Sequence, residues 1–297
     1  MGFFGRKRLM KPLDIGIASW QSPDKLDKTI TLLRKYTVGS WRVFVIDNNS
    51  PDPTVREVIA RHASEDPRIV PVLLEDNLGY VGAVNKLVLE LAETQYVSYV
   101  DNDAYIRTRG WNEQMMNILE KHPELAMVFP KETGVAYPID RLDYTEVLWG
   151  VGCFWMANKI RIVEVDGMDT TLGHQEEVDL QMRIRLNGFK MATTADVRVT
   201  HQATSSNNPD AQKRISDGVI NWVNKWNKYF VGPSINYFSP NVTRFEDWPI
   251  NAIYIEEYYK HELPSLNANP ETVIIDGRDY DLIKVPRFPH LYRDRII

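Results

Sequence analysis

The chain has little that would staple it or anchor it. Its one cysteine, Cys153, excludes an internal disulfide framework and a cysteine-rich zinc site, so a reducing compartment suits it and a cytoplasmic location is expected. No run of about 18 consecutive apolar residues occurs, which excludes a bilayer-spanning helix. An excess of one charge is missing too. The 35 basic and 40 acidic side chains leave a formal charge of −5, which supplies no global field for drawing in a polyanion. The basic stretch 1–11 runs into Pro12 and Asp14 rather than an apolar segment, so no secretory signal is expected. Phe3 and Phe4, beside Arg6, Lys7, Arg8 and Lys11, could touch an anionic membrane surface peripherally; a solvated, frayed terminus is the plainer reading.

What is present is ample material for a core: 297 residues, 43% of them apolar. From residue 14 to residue 130, short β-rich runs alternate with longer helical ones, the pattern of β-α units around a mostly parallel sheet. Strands are predicted over 14–19, 42–47, 69–74, 96–101 and 126–129, with helices over 23–36, 53–62 and 81–93. Pro23 and Pro53 suit first-turn positions. A second half follows: a strand over 147–156, a glycine-containing loop, a helix over 176–186 stopped by Asn187-Gly188, and a strand over 191–200. Beyond residue 205 a helix over 210–229 carries Trp222 and Trp226 one turn apart, a packing pair, and 230–297 reads as an irregular extension. The expected organisation is a domain over 12–205, with halves 12–130 and 131–205, followed by 206–297.

In open α/β sheets ligands bind outside the carboxyl ends of the strands, and polar residues collect there: Ser19, Asp47 and Asp101 each close an apolar run. The run Val97-Ser98-Tyr99-Val100-Asp101-Asn102-Asp103 ends in two carboxylates two residues apart. In an extended chain both can face one cation, and hard oxygen ligands suit Mg²⁺ or Mn²⁺. An ordinary Asp/Asn turn explains the same residues equally well. Asp47 could accept the imide N–H of uracil or thymine, or could simply cap a turn. Backbone groups near Ala18 and Ser19 could clasp a base or ribose. Asn77-Leu78-Gly79-Tyr80-Val81-Gly82-Ala83-Val84-Asn85 supplies glycines that permit close backbone approach at a helix start, or a simple tight loop. Glu176, Glu177 and Asp179 open a predicted helix, where the dipole alone would favour carboxylates. His201 ends a strand, as a structural histidine or a metal ligand.

Taken in this order, these segments resemble the family 2 glycosyltransferases of GT-A fold, over about 14–229. The resemblance implies a GT-A type α/β fold, a nucleoside-diphosphate sugar as donor with UDP- or dTDP-sugars favoured, and Mn²⁺ or Mg²⁺ as cofactor. It implies Asp103 and His201 as metal ligands, with Asp101 near the metal or the ribose. Ala18, Ser19, Asp47, Asn48, Asn77 and Gly79 would bind the donor, as would Gly82, Asn85 and Asn102. Glu177 would take the general-base position, with Glu176 or Asp179 orienting the site; the family often has Glu-Asp where this chain has Glu176-Glu177. Arg183 and Arg185 either pair with the helix's carboxylates or meet phosphate. Trp149 and Trp155 flank a Gly150-Val151-Gly152 segment that in such folds lies near the acceptor, so either could stack on a sugar or pack in the core.

The expected reaction is a metal-dependent transfer with inversion onto an acceptor hydroxyl. A saccharide or glycoconjugate is the default acceptor, and a hydroxymethylated nucleic-acid base is the minority alternative, on the basic tail residues Lys284, Arg287, Arg293 and Arg295. A nucleotidyltransferase would ordinarily carry a Gly-rich, basic first loop, which Ala18-Ser19-Trp20-Gln21-Ser22 lacks. A non-catalytic nucleotide-sugar-binding protein is the other rival.

Overall fold

The computed structural model describes residues 11–130, 134–140, 143–150, 152–194 and 196–202, with parts of 217–225 and 272–281. Phe3, Phe4, their basic neighbours, Trp226 and the basic tail residues lie outside the described residues, as does the Trp149 side chain.

A nine-stranded sheet runs in the order β3-β2-β1-β4-β9-β6-β10-β8-β7. The first four positions are parallel and follow the predicted units closely: β1 (Leu13–Ser19), β2 (Trp41–Asp47), β3 (Ile69–Leu73) and β4 (Tyr96–Asp101). They are joined by α1 (Pro23–Tyr36), α2 (Pro53–Glu65) and α3 (Gly79–Asn85), the last continuing as a π-helical stretch Lys86–Leu91. Asp52 caps α2 by accepting from the Thr54 N–H at 2.9 Å, with Pro53 in the first turn.

Side-chain alternation divides the core between the two faces of the sheet. Val43 and Val45 pack with Leu26, Ile30 and Trp111 on one face; Phe44 and Ile46 pack with Val84, Leu87 and Leu180 on the other. Burial on both faces makes these parallel strands continuous apolar runs, so their existence could be read but their neighbours could not.

The second half departs from the expectation. The run 147–156 is two strands: β8 (Thr145–Gly150) pairs with β10 (Lys190–Thr194), whereas β9 (Phe154–Asn158) sits antiparallel between β4 and β6 (Leu125–Pro130). Glycines at 150 and 152 flank the break. The run 191–200 also divides, into β10 and β11 (Val199–His201), and β11 leaves the main sheet to pair with β5 (Ala104–Ile106). Among the described residues up to 202, four further elements were not predicted: β5, α4 (Trp111–Lys121), β7 (Gly134–Asp140), which pairs with β8, and the short helix over 159–163.

Helix α5 (Lys159–Val163) precedes the acidic helix α6 (Glu176–Leu186), which matches its predicted bounds. Gly188, at φ 83°, follows it in the left-handed conformation that ends helices. Within 210–229, the described residues 217–218, 221–222 and 225 are helical, and Trp222 is buried. In the stretch read as irregular, β12 (Thr272–Ile275) pairs antiparallel with β13 (Arg278–Asp281). Asp276-Gly277, a hairpin signal in sequence, stands between them.

Candidate functional site

The carboxyl ends of β1, β2 and β4 open into a cleft of about 550 Å³, lined by Ala18, Ser19, Trp20, Asn48, Asn77, Gly79, Tyr80, Tyr99, Asp101, Asn102, Asp103 and His201. Its wall is knitted from residues far apart in sequence. The Asn48 N–H donates to the Ser19 carbonyl at 2.8 Å, the Asn48 amide to the Gly79 carbonyl at 3.2 Å, and the Gly79 N–H to Asn77 Oδ1 at 2.8 Å. Gly79 has φ +67°, the left-handed conformation that a side chain would strain. Two buried polar atoms of this wall, Ser19 Oγ and Asn48 Oδ1, have no hydrogen-bond partner within the protein. Both atoms are shut off from solvent, and each still calls for a partner, which a ligand reaching into this wall would supply.

At the other end of the cleft, β4 stops at Asp101, and residues 102–103 form a turn before β5. The turn, rather than a continued strand, brings the two carboxylates together. His201, delivered by the pairing of β11 with β5, stands 3.1 Å from Asp103 and 3.5 Å from Asp101 through Nε2. One ligand atom from each of these three residues lies within 4.8 Å of the others. Two carboxylates and an imidazole are a donor set that Mn²⁺ or Mg²⁺ accepts, so the residues fit the implied ion. Burial pushes Asp101 up to about 7, against a hydrogen bond from the Tyr99 hydroxyl at 2.8 Å. Asp103 is held below its ordinary value although burial opposes this, because His201 and Lys25 hydrogen-bond to its charged form. His201 is raised, first by its bond to Asp103.

Across from this corner stands the first turn of α6. Gln181 fixes the helix by bonding both ways to Gly150, its Nε2 to the carbonyl at 2.7 Å and its Oε1 to the N–H at 2.6 Å. Burial raises the carboxyls of Glu177 and Glu176 above the usual range. Glu177 lies near Tyr80 and Asp101: its charge, after burial, raises the Tyr80 hydroxyl, and it contributes to the rise of Asp101. Gly152 stands where these groups converge, since a Cβ there would sit 2.6 Å from the Tyr80 hydroxyl and 3.5 Å from Glu177 Cβ.

Several residues expected at the site face elsewhere. Asp179 is 0% exposed and is bound by Arg183 at 2.8 Å and Lys225 at 2.7 Å. Arg183 reaches on to the carbonyls of Val165 and Gly167, and Arg185 to that of Val147, so both arginines are structural partners. Asn85 is a clamp, its amide closing on both the N–H and the carbonyl of Met168 at 2.7 and 2.8 Å. Gly82 does not line the cleft; a Cβ there would fall 2.4 Å from that of Leu78. Asp47 is buried beside the cleft with its carboxylate engaged by the Ser50 N–H at 3.1 Å and Arg56 at 2.7 Å, as in the turn-capping reading. Trp155 is 1% exposed and stacks beneath Tyr99 at 5.9 Å, which makes it core rather than a sugar platform.

With this geometry, residues 14–159 match the model of glycosyl transferase family 2. This part of the chain belongs to that family. A relative, the putative teichuronic acid biosynthesis glycosyltransferase TuaG of Bacillus subtilis, is 29% identical over 112 residues, 37% of this chain and 44% of that protein. The chain spans less than half the length of the sequence relatives it matches. Among solved structures, a mannosyltransferase of Pyrobaculum calidifontis in complex with GDP-mannose and Mn²⁺ superposes with a TM-score of 0.59 at 16% identity, covering 85% of this chain and 70% of that one. GalNAc-T7 with UDP, GalNAc and Mn²⁺ gives 0.64 at 14%, over 90% and 60%. At such identities the likeness establishes the fold, which is GT-A.

In this family 2 domain, four residues that line or support the cleft were missed in the sequence: Trp20, Tyr80, Tyr99 and Lys25. Tyr99 was accessible to the rule applied to Asp101, because residues two apart in a strand share a face. Trp20, 51% exposed at the cleft, directly follows Ser19. Lys25 carries no signal in a helix with several lysines.

Proposed function

We propose that the protein transfers a glycosyl group from a nucleoside-diphosphate sugar to an acceptor hydroxyl, with inversion at the anomeric carbon. The observation that carries this reading is the joining of an Asp101, Asp103 and His201 cluster to a nucleotide-sized cleft at the strand ends of a family 2 domain. A divalent cation bound by those three residues would supply Lewis-acid neutralisation of the diphosphate. Ser19 and Asn48, with unpaired polar atoms on the wall, would hold the nucleoside. Glu177 would accept the acceptor's proton, and its raised pKa brings the carboxylate closer to the basicity that proton abstraction near neutral pH requires. A saccharide or glycoconjugate remains the acceptor proposed.

The base of the donor is the open choice within this reading. A uridine or thymidine donor would need Asp47 to turn from Ser50 and Arg56 toward an imide N–H, so the first assay spans bases. Donor hydrolysis measured across UDP-, dTDP- and GDP-sugars, with Mn²⁺, with Mg²⁺ and with chelator, tests the proposal. Turnover of at least one donor that chelator removes is the expected result. Tight nucleotide binding with no turnover, with acceptors supplied, would leave a binding protein instead.

A further inference from the structure

The anionic corner is not waiting bare for its ion. Both oxygens of Asp103 are engaged: Oδ1 faces His201 at 3.1 Å, and Oδ2 accepts from the Lys25 ammonium at 3.0 Å. Lys25 also donates to the carbonyl of Gln202 at 3.0 Å, one residue past His201. The ammonium thereby joins the turn that carries Asp103 to the strand that carries His201.

The first helix is tied to this place by more than the lysine. Thr29, one turn further along α1, donates to the Asn102 carbonyl at 2.8 Å, and Lys28 lies over the Tyr105 ring at 3.9 Å. Tyr105 in turn donates its hydroxyl to Gln202 at 3.0 Å. Helix α1 therefore holds the root of Lys25 at the corner whatever its ammonium does, and the flexible stem can swing without unseating the helix.

We propose that Lys25 is a tethered cation that shares Asp103 with His201 in the ligand-free protein and is displaced from it when a divalent ion binds. The proposal rests on Asp101, Asp103 and His201 being the metal ligands. An ion entering this corner must take lone pairs of Asp103 while standing beside a like charge already bonded to it, which is unfavourable at such short range. The protein's affinity for the ion alone is therefore lower than its ligand set would give. Once displaced, the ammonium is a mobile positive charge at the mouth of a cleft built for a diphosphate, so ion and nucleotide assist each other's binding.

The test uses the full chain and Mn²⁺ alone, followed by calorimetry and by the Mn²⁺-induced rise in Tm, without nucleotide or turnover. Lys25→Met keeps the stem and removes the charge; it is expected to bind Mn²⁺ about tenfold more tightly than wild type and to gain more in Tm. Lys25→Arg keeps the charge and is expected to stay near wild type. Should Lys25→Met fail to fold, Lys25→Gln is read in the same way. Unchanged or weaker Mn²⁺ affinity on removing the charge overturns the proposal alone, as does equal tightening in Lys25→Arg. Absence of Mn²⁺ binding in wild type and variants overturns it together with the metal-ligand assignment.

Discussion

Two clusters of carboxylates stand near the cleft, one at the end of β4 and one at the start of α6, and the protein treats them differently. At the β4 corner, Asp101 and Asp103 are met by cationic groups from distant parts of the chain, His201 on β11 and Lys25 on α1. At the start of α6, Asp179 takes the cations, Arg183 and Lys225, while Glu176 and Glu177 are left half-buried with raised pKa values. Cationic neighbours keep Asp103 ionised and so able to ligate an ion that displaces them, whereas a carboxylate denied such neighbours suits a proton acceptor. Three neighbouring carboxylates that look alike in sequence are thus divided by their partners into a structural group and the one proposed as reactive.

The largest expected effect breaks that division at its reactive member. Glu177→Gln keeps shape and removes the base, so kcat for transfer should fall about 10²- to 10⁴-fold with donor affinity near wild type. The pH profile sharpens it: because burial raises Glu177, wild-type activity should decline as pH falls through that raised value, and the variant should lack this limb. An acid limb unchanged in position and depth from wild type would assign the base to another group, since protonation of Asp101 and His201 leaves a limb of its own in either protein. Next is the structural member. Asp179→Ala strands Arg183 in a buried setting, and a loss of about 3–5 kcal/mol in urea unfolding is expected, as for other broken buried pairs. A loss under 1 kcal/mol, with transfer abolished, would return Asp179 to the chemistry.

On the cationic side, Asp103→Ala should weaken Mn²⁺-dependent UDP binding by about 10- to 100-fold in calorimetry, and leave metal-free binding little changed. Equal loss with and without Mn²⁺ would mean Asp103 shapes the cleft rather than holds an ion. The smallest effect belongs to Glu176→Gln, where transfer within about threefold of wild type is expected. A fall as deep as that of Glu177→Gln would erase the distinction between these neighbours.

The same contrast separates what sequence could reveal from what it could not. Ser19, Asp47 and Asp101 were legible as strand ends because alternating β and α runs imply a sheet with one polar edge. The acidic helix start was legible from Glu176 to Asn187-Gly188 for similarly local reasons. Which carboxylate does what depends on Lys25, His201 and Lys225, whose contacts span 78, 98 and 46 residues of chain, and no local pattern encodes such pairings. The splitting of 147–156 was hidden because an apolar run keeps its period across the glycines at 150 and 152 while its two ends join different neighbours in the sheet. Asn85 was misplaced for a related reason: its partner Met168 lies 83 residues away.

Beyond His201 the chain returns to the acidic helix. The described part of 217–225 touches the stretch leading into α6 at three points. A Cβ on Gly218 would fall 2.3 Å from the Cβ of His174, Asn221 donates to the Leu172 carbonyl at 3.1 Å, and Lys225 binds both Asp169 and Asp179 at 2.7 Å. During synthesis every residue assigned to the cleft leaves the ribosome before this clasp exists. A nascent chain or a truncation ending near residue 205 would thus own the whole set of reactive groups while its acidic helix still lacked one of the two cations that Asp179 needs. The pairing of Asp179 with Lys225 is thus the last of these contacts that the growing chain can make.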